Sequence, residues 1–224
     1  MAGCQNAGTP RRWPMIAAIR PLLRLLTVAL LALPLASCYI PDKFKGELRL
    51  SRYGDYALTY QGDLIYAPIM HDYAGGRITP ENEQEKNDNI YKDLVRDPAI
   101  KDIQRVGKGR FRVKFERQGR LGKVQLSSFL RRDARLLSLK SNEDGSIIID
   151  ANGVKSGDAQ RMAELGIGME GEFRITTDAN VVRHNATEVR PYGQYKVYIW
   201  KIENALSATP TLVMLRDPDP NRPL

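Results

Sequence analysis

One cysteine constrains this chain more than any other residue. Leu25 to Leu35 form an uncharged, mostly apolar run, closed by the small residues Ala36 and Ser37 and then by Cys38. Arg11, Arg12, Arg20 and Arg24 precede the run, and no acidic residue does. Basic, apolar and small residues in that order make a secretory signal, which is removed on export. A membrane-spanning helix needs about 20 apolar residues; this run is shorter, carries Pro34 near its end and has no stop-transfer pattern behind it. Cutting before Cys38 leaves 187 of the 224 residues, with a single thiol at the first position. The mature chain therefore folds without an intrachain disulfide and without a cysteine-based metal site. Its length suits one domain with a real hydrophobic core.

The ending Leu35-Ala36-Ser37-Cys38 resembles the lipobox of bacterial lipoproteins. The resemblance implies that Cys38 is lipidated, with palmitate-type chains, and becomes the first mature residue. Residues 1–37 are then the signal peptide. Met15 offers an alternative start that gives a leader of 23 residues, within the usual range. Tyr39, rather than an aspartate, follows the anchor. That favours the outer membrane, facing the periplasm, with the inner membrane as the alternative.

The whole sequence has a net charge of +8, but four of its 34 basic residues lie in the leader. The mature chain keeps 30 basic against 26 acidic residues, or +4. Half of the basicity is thus discarded, and export removes the usual setting for nucleic-acid binding; no nucleic-acid partner is expected.

Residues 38–46 read as a lipidated tether, 47–216 as a single domain and 217–224, rich in Pro and Asp, as a flexible tail. Glu47 to Ser51 and Tyr56 to Tyr60 alternate apolar and polar residues around Tyr53-Gly54-Asp55, which predicts a hairpin. Leu64 to Met70 is apolar without a clear period, and Asp72 to Gly76 reads as a loop. Thr79-Pro80 predicts a helix start, with Glu81, Glu83 and Glu85 near its positive end and a stop before Pro98. Arg110 to Glu116 is the cleanest alternation in the chain. Leu136 to Leu139 and Ile147 to Ile149 flank Asn142-Glu143-Asp144-Gly145, a second hairpin. Ser156 caps a short helix ended by Gly166. Glu172 to Thr176, Lys196 to Ile202 and Thr211 to Leu215 complete the strands. Hairpins and two helices without βαβ alternation predict an α+β fold, with a mostly antiparallel sheet packed against one or two helices.

Three sequence motifs mislead. Gly166-Ile167-Gly168-Met169-Glu170-Gly171 fits a dinucleotide fingerprint, but a helix precedes it and a strand follows. A phosphate would meet the wrong end of the dipole. Asn142, Asp144 and Gly145 match part of a calcium loop whose first and last ligand positions would be Lys140 and Ala151, which cannot serve. Asn185-Ala186-Thr187 is a formal sequon with little meaning in a bacterium. No cofactor is expected. His71 and His184 lack any metal-ligand spacing and stand near no nucleophile motif, so no metal site and no catalytic residue are assigned.

Two features could bind. Arg110, Arg112 and Lys114 point to one side of a strand, with Arg117, Arg120, Lys123, Arg131, Arg132 and Arg135 following. They could contact an anionic surface, or simply solvate a strand face. Tyr198, Trp200 and Ile202 share one face of the last long strand. They either line an apolar cleft suited to an amphiphile or belong to the core.

The order of pieces resembles the LppM-type bacterial lipoproteins. The pattern is Cys38, a hairpin and helix, Arg110 to Leu121, Glu172-Phe173-Arg174-Ile175-Thr176, Val181-Val182-Arg183-His184-Asn185 and a strand carrying Trp200. Thr177-Asp178-Ala179 and the segment Glu188 to Gln194, read as an inserted loop, depart from it. The resemblance implies a membrane-anchored α+β domain and transfers no functional residue. The expectation is a non-catalytic envelope lipoprotein that binds a protein partner, a lipid or a cell-wall component through its sheet. The alternative is an envelope hydrolase whose site is assembled from scattered residues.

Overall fold

The computed structural model describes residues 39–130, 136–154 and 156–221, without the side chains of His71 and Arg161. The leader and Cys38 lie outside the described residues, as do Arg131, Arg132 and Arg135. The fold is α+β: two sheets, each mostly antiparallel, with three helices among the described residues. The sheet expected from sequence is thus two sheets packed face to face. Twelve strands are too many for one strongly twisted open sheet, and two layers bury their apolar faces against each other.

The first sheet contains β1 (Tyr39–Leu50), β2 (Asp55–Tyr66), β3 (Ile100–Gly107), β4 (Arg110–Arg120), β8 (Gly171–Thr177), β10 (Glu188–Tyr192) and β11 (Tyr195–Ile202). Their spatial order is β10-β11-β8-β1-β2-β4-β3. Its neighbours run antiparallel except for β1 and β8, which are parallel, with Phe44 opposite Gly171 and Leu50 opposite Thr177. The second sheet has the order β5-β6-β7-β12-β9, from β5 (Gln125–Phe129), β6 (Leu137–Ser141), β7 (Ser146–Ala151), β9 (Asn180–His184) and β12 (Thr211–Leu215). Leu48, Phe111, Phe115 and Ile175 of the first sheet are sealed in one core with Leu139, Ile149, Leu212 and Met214 of the second.

Several expectations need correction. The tether expected at residues 38–46 is, from Tyr39 onward, the first part of β1. Tyr39 pairs with Tyr66, is 5 % exposed, and its ring lies 5.3 Å from that of Tyr66. Its mixed residues hide a strand because a bulge between Asp42 and Lys45 breaks the alternation. Leu64 to Tyr66 finish β2, and α1 (Ala67–Ala74) takes most of the expected loop. The segment Glu188 to Gln194 is the first arm and turn of a hairpin, not an inserted loop; Pro191 on this edge strand obscured it. The tail is tied back as far as Asp219: the Asp217 backbone N–H donates to Arg52, and Arg120 pairs with the Asp219 carboxylate.

The helices follow their local signals. α2 (Pro80–Leu94) starts with a capping box: Thr79 Oγ1 accepts from the Asn82 N–H, and Asn82 Oδ1 accepts from the Thr79 N–H. α3 (Ser156–Glu164) is followed by Gly166 at φ 71°, the left-handed turn that ends it. Ala159 and Met162 of α3 pack with Ile65 and Ile40 on the outer side of the first sheet.

Candidate ligand cleft

The two ends of the sandwich differ. At one end the strand ends are closed by polar contacts. Arg52 pairs with Asp178, Arg120 with Asp55 and Asp219, and Arg216 Nη1 donates to the Gly122 carbonyl. At the other end β1 and β8 begin, β7 and β11 finish, and an apolar cleft runs between the sheets.

Phe44, Tyr60 and Phe173 of the first sheet face Phe129, Leu137 and Ala151 of the second across this cleft. The cleft is partly open, and the space in it that the centre of a water-sized sphere can occupy is about 80 Å³, against the ~10–15 Å³ that one water needs on that measure. It is lined almost wholly by carbon and suits the end of an acyl chain rather than a whole lipid. Aromatic rings shape one wall. Phe44 stacks on Tyr60 with centroids 5.7 Å apart, and Tyr60 and Phe129 meet at 5.0 Å. Asn152, Ser207 and Thr209 provide polar groups without charge at the mouth. The Ser207 hydroxyl already accepts from the Glu203 and Asn204 N–H groups.

Glycine placement makes room for Phe44. The bulge sets Lys43 at φ 47° and brings Phe44 over the backbone of both neighbouring strands. A Cβ on Gly62 would stand 2.5 Å from Phe44 Cβ, and one on Gly171 would overlap the ring itself. Only glycine permits this close approach at the two positions.

The bulge also generates a buried charge cluster. Asp42 and Asp63 lie directly opposite each other on β1 and β2, both 2 % exposed. Two carboxylates so placed repel. Arg110 Nη1 reaches both, at 2.5 Å from Asp42 Oδ2 and 3.3 Å from Asp63 Oδ2, and Arg112 Nε lies 2.9 Å from Asp63 Oδ1. The Glu170 N–H donates to the other Asp42 oxygen. Each carboxylate is thus held by a guanidinium, which offsets their mutual repulsion. The Tyr60 hydroxyl donates to the Asp63 carbonyl; burial, and then repulsion from Asp63 and Asp42, raises its pKa far above the ordinary value.

The residues singled out from sequence divide accordingly. Arg110 is turned onto buried aspartates, Arg112 shares one of them while half exposed, and Lys114 lies exposed on β4. Tyr198 and Trp200 are sealed in the core, while Ile202 lines the cleft. Trp200 Nε1 donates to Asn185 Oδ1, which also accepts from the Thr211 N–H, and Asn185 Nδ2 donates to the Thr209 carbonyl. The sequon asparagine is thus a fully engaged structural bridge. His184 is exposed, and its Nδ1 accepts from the Ala186 N–H; His71 lies in α1. Among the described residues no three metal-capable side chains converge, and no helix is long and apolar enough to cross a membrane. Phe44, Phe129 and Phe173 were missed as site residues. Gly46, Gly62 and Gly171 were the available signal, but their partners are distant in sequence.

No protein-family model matches the chain, and no curated protein does. Among solved structures the chain is similar to the folded domain of LppM from Mycobacterium tuberculosis, determined by NMR. Identity is 10 %, the TM-score is 0.40, and the match covers 86 % of this chain and 98 % of that one.

Proposed function

We propose that this chain is a membrane-anchored bacterial envelope lipoprotein without catalytic activity, whose domain holds the apolar end of an amphiphile between its two sheets. The observation that carries the reading is the cleft: a partly open apolar space with uncharged polar groups among its lining. Apolar cavities of this kind stay dry and take up hydrocarbon in preference to water. Cys38 is the attachment point, and several acyl chains at about 0.8 kcal/mol per buried methylene make it lasting. The lipobox supports an envelope location, and Tyr39 favours the outer membrane.

The test uses the chain from residue 38 with Cys38→Ser, which remains free of lipid. Titration with cis-parinaric acid should give saturable fluorescence enhancement. Native mass spectrometry after incubation with phosphatidylethanolamine vesicles should give a lipid-bound mass. Ala151→Phe, which fills the cleft, should abolish both while leaving Trp200 emission native-like. A clean unliganded mass and no enhancement in the parent chain would overturn the reading.

A further inference from the structure

The absence of a tether bears on where the cleft opens. Tyr39 is already paired and buried in β1, so the fold begins one residue after Cys38. The two Cα atoms are one step of about 3.8 Å apart. Pro41, two residues further on, lines the cleft and lies only about 7 Å along the strand from Tyr39. The first strand, whose first residue follows the anchor, therefore begins at the same end as the cleft mouth.

A second feature marks this end. The loop from β11 to β12 supplies Ser207 and Thr209 to the mouth, and Leu206 between these strands is 64 % exposed. Its backbone N–H is held by Asn204 Oδ1, which fixes the turn that presents it. Lys43, in the bulge of β1, is exposed at the same end. An exposed leucine and a lysine beside a lipid attachment point suit the boundary between headgroups and acyl chains. The opposite end presents the β6–β7 turn, where Glu143 and Asp144 are exposed, and the β10–β11 turn, where Tyr192 is 70 % exposed, so the attachment point rather than exposed apolar surface distinguishes the two ends.

We propose that the cleft-mouth end of the sandwich rests directly on the bilayer, held by Cys38 without a spacer, so that the cleft exchanges acyl chains with the membrane rather than with the surrounding solution. This rests on the anchored-lipoprotein reading. One residue of reach leaves the domain little freedom to tumble on its anchor, whereas an eight-residue tether would permit any face to meet the membrane.

The mature chain has no thiol besides Cys38, so one introduced cysteine can be labelled cleanly. The lipidated protein carrying Leu206→Cys or Glu143→Cys is labelled with an environment-sensitive fluorophore. It is then reconstituted in vesicles of phosphatidylethanolamine and phosphatidylglycerol with nitroxide-bearing acyl chains. Trp200 emission of each variant in plain vesicles verifies folding. Emission at 206 should be lost to the quencher and emission at 143 retained. Vesicle-bound protein with 206 unquenched, or with both positions quenched alike, overturns the proposal and leaves the anchored reading standing. Protein that does not float with vesicles overturns both. Loss of emission at 206, together with no parinaric acid uptake by the soluble chain, supports the docked orientation and overturns both the cleft reading and the acyl exchange that depends on it.

Discussion

Arg117 Nη2 stands 3.1 and 2.9 Å from the two carboxylate oxygens of Asp97, while its Nη1 donates to the Ser128 carbonyl at 2.7 Å. One guanidinium on β4 thus ties the turn before β3 to β5 of the opposite sheet. Asp97 is 8 % exposed. Removing one member of a buried pair costs about 3–5 kcal/mol, because the other charge stays behind. Arg117→Ala should lower unfolding stability by about 3 kcal/mol in urea titrations. Arg117→Lys keeps the charge but not the fork, and should recover only part of that loss. Two equally stable variants would show that the fork does not join the sheets.

Gly171→Ala should be costly for its size. The added methyl meets the Phe44 ring, and forced overpacking costs about 1–3 kcal/mol. Phe44→Leu in the same chain should restore part of the melting temperature, since the cause is a clash. Absence of rescue would put the cost in the backbone instead.

Asn185→Ala leaves Trp200 Nε1 and the Thr211 N–H without their common acceptor. Trp200 is buried, and a buried orphan donor costs about 1–3 kcal/mol; the Thr211 N–H is more exposed and can turn to water. Trp200 is the one tryptophan from residue 38 onward, so in the chain from residue 38 its emission reports the site directly. A lower denaturation midpoint with a shifted native emission maximum is expected; an unchanged spectrum would remove Asn185 from this role.

Acid should weaken the closed end. Burial pushes the Asp178 carboxyl upward, but hydrogen bonds from the Arg52 side chain and backbone outweigh it, so its pKa ends below the ordinary 3.8. A lowered folded pKa gives stability that is complete above the unfolded value and is lost as pH falls through the folded one. Unfolding midpoints should therefore hold level above about pH 5 and fall below about pH 4. Asp178→Asn should be less stable at neutral pH and show a shallower acid decline, as followed by Trp200 emission.

Much of the architecture was readable in the chain. Arg110 to Glu116 alternates cleanly because one face meets the core and the other meets water. Thr79, Pro80 and Gly166 act through local geometry that needs no partner. The first half of β1 was hidden because its bulge turns Asp42 and Phe44 against the alternation. β5, with its sequence Gln-Leu-Ser-Ser-Phe, has one sealed residue, Phe129, and no periodic stripe. The cleft was half legible: Ile202 belongs to it, while Tyr198 and Trp200 on the same face pack into the core. Which end of an apolar strand face lies open depends on what the other sheet places opposite, and periodicity carries no such information.

The parallel pairing of β1 with β8 also sets an order of assembly. Within the first sheet β1–β2, β3–β4 and β10–β11 can pair as soon as a short turn is made. β1 instead keeps one edge open until Gly171 to Thr177 are available. In a chain delivered from its N-terminus, that edge waits while residues 51–170 emerge, and such long-range closure is slow. An unpaired inner strand is also a template for the wrong neighbour. The vulnerable period of this protein thus falls during synthesis, at a strand that emerges early and is completed late.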